Sequence, residues 1–483
     1  MSYTLKLFDT ELLKFDVIEN LADPVVHILW LDESKKELLP LGMDATDKGL
    51  ASWLKHRSIP KNRAYVNSFL AKCGLSANRP MDVILVCKGL SLNDSYWITD
   101  ETFTESFESE NLYDNNFSRV LAWTAFTGYG SSIRSTFASS PEFTTNGMLP
   151  KCWRRLNDKI YLYKGATSGA SNTGNEPYSE LYAYMVAERM DINAIPYRAA
   201  KWKGNLCSVC ELFTNKHLSY VPVGRLIKSG GMKAVRQFYE SLGQQFVSAL
   251  NEMIVFDAVI CNTDRHYGNF GVLVDSDANK IVAPAPLFDH GNSLFNLAGE
   301  ENWKSEKVLQ NYVETLFPCV YDDFISEAKT VMNDEIKEKL RKLLTFDIKK
   351  TGKYNYSSKK LKIMNEANIN GPVAYIGDNS KDIALLQKAY VAISRGGIKN
   401  KKVIENSDIM LMNSDLNTVI ETFKISKKQK NVTFENIFAG LAINFIMMLA
   451  ALAGILPWWV ALVIYLTEEI IVLLNTHRIL DMK

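Results

Sequence analysis

The sequence predicts a mixed α/β (α+β) chain in three parts: a two-lobed unit, a partial α/β segment, and a hairpin of two membrane-length helices. Three observations carry that expectation. Strand-like alternation early in the chain, as in "KIYLYKG" (159–165), gives way from about residue 231 to helical periodicity through "AVRQFYESLGQQFVSALNEMIVFDAVI". A polar loop, "CNTDRHYGNF" (261–270), separates the apolar runs "MIVFDAVI" (253–260) and "GVLVD" (271–275). Near the end, residues 437–456 run twenty positions without a charge, which matches a hydrocarbon core of about 30 Å.

Composition bounds the function classes. At 483 residues there is room for two or three domains with their own cores. Lys plus Arg (55) nearly balance Asp plus Glu (54), so direct nucleic-acid binding is not indicated. Seven scattered cysteines point to a reducing compartment. Cys207 and Cys210 spell CxxC, but inside the strand-like run "LCSVCELF" and without a second pair to complete a metal site. The amino terminus, "MSYTLKLFDTELLKF", lacks the apolar region of a signal peptide, so a cytoplasmic start is expected.

Taken in order, residues 1–115 read as an amino-terminal α/β subdomain, with helical patches "LASWLKHRSI" and "RAYVNSFLAKCGL" and a strand-like "DVILVC" (82–87). Residues 116–220 form a small lobe with Ser/Thr/Gly clusters followed by "KIYLYKG", and 221–366 a helical large lobe. The basic stretch "KKTGKYNYSSKK" (349–360) looks like a tail or linker. After "NINGP" a new α/β unit opens with "VAYIGD", placing a boundary at 366–372 and a segment at 367–431. The hairpin, 432–483, contains a second apolar run at 460–475, broken by Thr467, Glu468 and Glu469. "KISKKQK" (424–430) precedes it, so the positive-inside rule keeps the bulk of the chain on the cytoplasmic face of the inner membrane.

The polar loop has a spacing that asks for chemistry. Asp264 and Asn269 stand five apart, and Asp289 follows in "LFDHGNSLF". Phosphoryl transfer needs one carboxylate to accept a hydroxyl proton, and an amide plus a second carboxylate to hold Mg²⁺ against phosphates. It also needs a strand lysine for the nucleotide and a helix glutamate to orient it. Lys164 ends "KIYLYK", and Glu180 lies in "YSELYAYMVAERM". The Gly-rich "GATSGASNTGN" (165–175) lacks the Lys-Ser/Thr pair of a P-loop and is rejected as one.

On "NTDRHYGNF" (262–270), "PLFDHGNSLF" (286–295), "SPEFTTNGMLPKCWRR" (140–155) and "NEPYSELYAYMVAERMDI" (175–192), residues from about 1 to 366 resemble the HipA-like serine/threonine kinases. The resemblance implies a two-lobed, protein-kinase-like fold of the HipA type that uses ATP and Mg²⁺. By it Asp264 is the catalytic base, Asn269 and Asp289 are Mg²⁺ ligands, and Lys164, oriented by Glu180, is the phosphate lysine. "TTNGMLPK" (144–151) becomes the nucleotide loop, with Thr144 or Thr145 as the autophosphorylated hydroxyl and Gly147 and Lys151 beside the phosphates. "CELF" becomes the connector that meets adenine, through Glu211 and Phe213. His266 braces the loop. A protein substrate and an antitoxin or regulatory partner are implied. Toxicity and any particular substrate do not transfer, because the first hundred residues, with "WLKHRSIPKNRAY" (53–65), depart from the founding toxin's pattern.

Residues 371–483 resemble something different, the carboxyl-terminal end of a heavy-metal P-type ATPase, through "VAYIGDNSKDIALLQKAYVAIS" (373–394), "ENSDIMLMNSDLNTV" (405–419) and "LLNTHRIL" (473–480). The resemblance makes this a partial HAD-like segment, with Asp378 and Asp382 as weak candidates for a Mg²⁺-phosphate site. Lys381 stands where that pattern has Asn, and the phosphorylated DKTGT motif and the CPC span are absent from this sequence. The expectation is therefore a kinase tethered by a degenerate ATPase fragment. Two alternatives stay open: a fragment of a metal-transporting ATPase, and a nucleotide-binding pseudokinase that acts as an interaction module.

Overall fold

The computed structural model describes residues 2–130, 140–168, 173–369, 374–377, 391–395, 401–411 and 417–478. It divides into two compact units, Met1–Ile369 and Asn370–Lys483. Asp378, Lys381 and Asp382 lie outside the described residues.

The first unit opens on an antiparallel sheet in the order β3 (Val25–Leu31), β2 (Thr10–Glu19), β1 (Ser2–Leu7), β4 (Tyr96–Asp100). The amino-terminal stretch is a strand pair, with Leu5, Leu13 and Phe15 in its core. Helix Asp47–Lys55 contributes Leu50, Trp53 and Leu54 to that core. Residues 82–87, expected as a strand, belong to helix Pro80–Cys87 instead. The apolar run misleads because the helix is sandwiched. Met81 and Ile84 face the sheet core, while Val83 and Cys87 face a second cluster with Phe69 and Phe143. A helix buried on two sides shows no polar stripe, and its length alone cannot separate it from a buried strand. Pro80 sits in the first turn, where its missing N–H costs nothing.

A second antiparallel sheet follows in the order β5 (Lys151–Leu156), β6 (Lys159–Gly165), β8 (Asn205–Glu211), β7 (Tyr197–Trp202). Helix Glu176–Arg189 runs against it. Cys207 and Cys210 are both buried and unbridged on β8, and a spacing of three puts them on opposite faces. A third sheet, β11 (Lys280–Pro284), β10 (Gly271–Asp275), β9 (Leu218–Pro222), leads into the helical lobe. That lobe is centred on the buried face of helix Gln244–Ile260.

The basic stretch 349–360 is not a linker. Ile348 and Tyr356 are buried in the large-lobe core, and the Tyr356 ring lies 4.8 Å from that of Tyr178 and 5.5 Å from that of Tyr182. The Tyr356 N–H also donates to the Tyr182 hydroxyl at 3.1 Å. Lys349, Lys350, Lys353 and Lys359 face water, so composition hides the two anchors beside them.

In the second unit, β12 (Ala374–Gly377), β13 (Val391–Arg395) and β14 (Ile409–Leu411) form a parallel sheet in that order. Helix Asn417–Leu452 takes in the basic 424–430 segment as part of one continuous rod, and helix Trp458–His477 follows after Gly454 and Pro457. Lys424–Leu452 and Trp459–His477 are each long and apolar enough to cross a membrane. Their open ends are tied by polar contacts: Asn475 Nδ2 donates to Asn436 Oδ1 at 2.8 Å, and Arg478 to Glu435 at 3.0 Å.

Candidate active site

Two strands and one helix build the cationic half of the site. Antiparallel pairing sets Lys151 on β5 directly opposite Lys164 on β6, and both ammonium groups are buried. Such a pair of like charges needs anions. Glu180, from the Glu176–Arg189 helix, accepts from Lys164 Nζ at 2.7 Å, and Asp289 pairs with the same nitrogen. Burial alone would lower the Lys164 pKa, but Asp289 and Glu180 drive it well above the ordinary lysine value. Burial would likewise raise Asp289, yet Lys164 and Lys151 hold its carboxyl well below the usual range. Among the described residues Lys151 has no carboxylate in contact: burial first, then the Lys164 charge, push its pKa down to about 7. Its ammonium donates to the Asn146 carbonyl at 2.7 Å.

The helix Gln244–Ile260 ends where Cys261 enters the left-handed region at φ 50, a conformation that favours glycine. From there the polar loop is built around Arg265, which is 1% exposed. Its guanidinium makes a two-pronged bond to Asp257 (2.9 and 3.0 Å) and donates to the Asn269 carbonyl (2.9 Å), the Phe288 carbonyl (2.7 Å) and His290 Nδ1 (3.0 Å). One side chain thus locks the Asp264–Asn269 loop to the Phe288–Asp289 segment. Accepting at Nδ1 makes His290 the Nε2–H tautomer. Burial and the neighbouring Arg265 keep its pKa far below the ordinary value, so it stays neutral. Asp289 itself sits at φ 58, with its N–H donating to the Tyr197 hydroxyl at 3.2 Å. A non-glycine residue held there stores strain that the surrounding bonds must maintain.

Asp264 accepts from Asn292 Nδ2 at 2.9 Å through Oδ2, and Asn269 Nδ2 donates to the Asp264 carbonyl at 3.0 Å. His266 is exposed, and its Nδ1 accepts from the Gly268 N–H at 3.0 Å, which braces the loop.

A cavity of about 690 Å³ opens on this array. Lys151, Lys164, Asn269, Asp289, Gly147, Thr145, Glu211, Phe213 and His266 line it, as does Thr144. Asp264 is not among the lining residues, and Glu180 stands behind Lys164. Phe213 packs its ring 5.6 Å from Phe288 and 5.6 Å from Tyr220. Glu211 turns its carboxylate outward to Lys159 at 2.9 Å, leaving only its backbone for a ligand.

Thr144 does not suit the role of a phosphorylated hydroxyl. It is 4% exposed, and its Oγ1 donates to the Leu90 carbonyl at 2.8 Å. Thr145 is half-buried, donating to the Pro141 carbonyl at 2.6 Å and accepting from Trp153 Nε1 at 2.9 Å. The segment is held at both ends by Arg63, which donates to the Glu142 and Thr145 carbonyls at 3.0 and 3.3 Å and also bonds the Lys151 carbonyl. Only Asn146, Gly147 and Met148 are exposed. Gly147 sits at φ 93, a conformation that L side chains rarely adopt, and a Cβ there would lie 2.2 Å from Lys151 Nζ, so a larger residue would be strained and would displace that ammonium.

Several organising residues were not singled out from sequence. Asn292 follows Asp289 by three, and Arg265 sits inside the quoted loop, but neither position betrays its partner. Asp257 is eight residues upstream in an apolar helix, where a buried carboxylate is the one local anomaly. Tyr197 and Arg63 carry no signal.

Comparison with known proteins gives two classes. Among solved structures the matches include a HipA and the kinase CtkA, both with TM-scores under 0.5; over a shorter stretch the chain is similar in sequence to cadmium-transporting ATPases. In particular, the HipA of Shewanella oneidensis MR-1, solved with HipB and operator DNA, is 10% identical with a TM-score of 0.40, covering 76% of this chain and 95% of that one. The Helicobacter pylori proinflammatory kinase CtkA is 16% identical with a TM-score of 0.33, covering 45% and 88%. A probable cadmium-transporting ATPase of Alkalihalophilus pseudofirmus is 34% identical over 113 residues, 23% of this chain and 16% of that protein. One from Listeria monocytogenes is 34% identical over 125 residues, 26% and 18%. The chain thus spans about a sixth of the length of those ATPases. No protein-family model matches the chain.

Proposed function

We propose that the first unit is an ATP- and Mg²⁺-dependent serine/threonine protein kinase, tethered to the inner membrane by the carboxyl-terminal hairpin with the kinase on the cytoplasmic side. The observation that carries the reading is the buried Lys164–Glu180–Asp289 cluster facing a cavity whose floor is the Arg265-locked Asp264–Asn269 loop.

The donor set fits the metal. Asn269 uses its Nδ2 on the Asp264 carbonyl, so an amide oxygen is the free end, and Asp289 keeps about a third of its side chain exposed although Lys164 holds Oδ1. A hard cation that takes one or two protein oxygens and completes its shell with water and phosphates suits such a pair. Bound there, Mg²⁺ would neutralise charge on the phosphate oxygens. Lys164 and Lys151 hold phosphate oxygens, and Asp264, oriented by Asn292, takes the proton from the acceptor hydroxyl. Phe213 and the backbone at Glu211 supply the apolar wall and polar edge for the base. Of the loop hydroxyls, Thr145 is the one left for autophosphorylation once the Trp153 contact opens.

Tethering rests on the two apolar helices and on the basic stretch at their entry, since Lys residues there favour the cytoplasmic face. Metal transport is not part of the proposal for this unit. A protein substrate and a regulatory partner belong to the reading by likeness to HipA. The test is incubation of the chain with labelled ATP and Mg²⁺. Wild type should label itself or an added protein, and Asp264→Ala should lose about 10²–10⁴-fold. Equal labelling of both would refute the assignment of the base.

A further inference from the structure

Resting on the kinase reading, we propose that Arg225, which lines the same cavity, is a docking residue for an acidic side chain of the phosphoacceptor polypeptide.

Three cations gather there, and two are already committed. Arg57 is buried, stacks over Trp53 at 4.2 Å, and bonds Asp94 at 2.6 Å and the Gly89 carbonyl at 3.3 Å. Lys228 pairs with Asp44 at 3.2 Å. Arg225 is half-buried beside them, and among the described residues its guanidinium has no hydrogen bond or ion pair. Asp94, already shared with Arg57, is the carboxylate near enough to act on it. Burial and the adjacent Arg57 press the Arg225 charge down to about 10, and Arg225 in turn disfavours a charge on His56. A half-buried cation without a partner is an anion site waiting for its anion.

Position makes the anion a part of the acceptor rather than of the nucleotide. Arg225 follows Gly224, whose N–H donates to the Tyr267 carbonyl at 2.9 Å, and Val223 bonds Phe270 at 3.0 Å. Arg225 is therefore in fixed register with the loop that carries Asp264 and Asn269. Its backbone is also clamped from the amino-terminal subdomain, since a Cβ on Gly42 would lie 2.3 Å from the Arg225 carbonyl oxygen. The phosphate lysines come from a different sheet, on β5 and β6, where Lys164 carries its own counter-charges. A chain crossing the Tyr267 loop to present a hydroxyl to Asp264 would pass Arg225 with its neighbouring residues.

The experiment measures binding, so it does not depend on phosphoryl transfer. The full chain carrying Asp264→Ala, in detergent with a non-hydrolysable ATP analogue, is titrated by fluorescence anisotropy with serine peptides flanked by glutamates and with glutamine counterparts. The acidic peptides should bind about tenfold or more tightly, as a hydrogen bond to a charged group supplies. Adding Arg225→Gln should erase that preference, Arg225→Lys should keep part of it, and Lys228→Gln should keep nearly all. Affinity for the ATP analogue should stay within twofold throughout. Equal binding of acidic and neutral peptides, or a preference that survives Arg225→Gln, overturns the proposal. So does a parallel loss of nucleotide affinity, which would place Arg225 in the nucleotide site. Acid-selective binding by this chain, with a wild-type chain that never labels, would instead overturn the kinase reading and leave the docking residue standing.

Discussion

If the cavity takes a nucleotide as proposed, the Lys151 ammonium should make its affinity depend on pH in a way that the neighbouring Lys164 does not. Held at about 7 by burial and by the Lys164 charge, Lys151 is largely neutral in the empty site at pH 8.5. Anionic phosphates entering the cavity would draw a proton back onto it. Recharging a group 1.5 units above its pKa costs about 2 kcal/mol, and the group is already half neutral at pH 7, so affinity should fall by about 15-fold between pH 7 and 8.5. Calorimetric titration with ATP in two buffers of different ionisation enthalpy should show uptake approaching one proton at pH 8.5 and much less at pH 6. Lys151→Met should bind more weakly at pH 7 and show neither uptake nor slope. In the unliganded chain the same shift has the opposite consequence. The unfolded state, with the ordinary value of 10.5, binds more protons, so this group's contribution to stability rises as pH climbs from about 7 towards 10.5. No proton uptake at pH 8.5, or an unchanged slope in Lys151→Met, would refute the placement of this lysine against the phosphates.

Three further outcomes follow from particular contacts. Arg265→Ala leaves Asp257 charged, buried and unpaired, and should lower the denaturant-derived stability of the first unit by about 3–5 kcal/mol. Lys164→Met should weaken ATP binding or abolish labelling while leaving the chain folded, because Glu180 keeps its bond from the His290 N–H at 2.7 Å; unchanged turnover would move the role elsewhere. Tyr356→Ala removes a ring stacked in the large-lobe core and should cost about 3–5 kcal/mol, whereas a disposable tail would show no change in melting temperature. Finally, the full chain should sediment with membranes and resist carbonate extraction, and a chain truncated after Ile369 should stay in the supernatant.

Much of the candidate site was legible in the sequence because its chemistry needs particular residue types at short spacings. Asp264 and Asn269 share one loop, Lys164 ends an alternating strand, and the two apolar runs announce themselves by length. What the sequence could not display is partnership across the fold. That Lys151 faces Lys164 depends on the β5–β6 register, and that Arg265 joins two loops depends on where the chain returns after β11. Local pattern also failed where burial came from two sides. Helix Pro80–Cys87 lost its amphipathic signature between two cores, and Tyr356 was masked by solvent-facing lysines although it is 4% exposed. Thr144 was a candidate by family resemblance, yet tertiary packing seals it under Leu90. Residue type and spacing determine which chemistry is available to this chain. Only the three-dimensional arrangement decides which charges are paired, which hydroxyl is sealed and which arginine is left without a partner, because burial and Coulomb interaction act through space and not along the sequence.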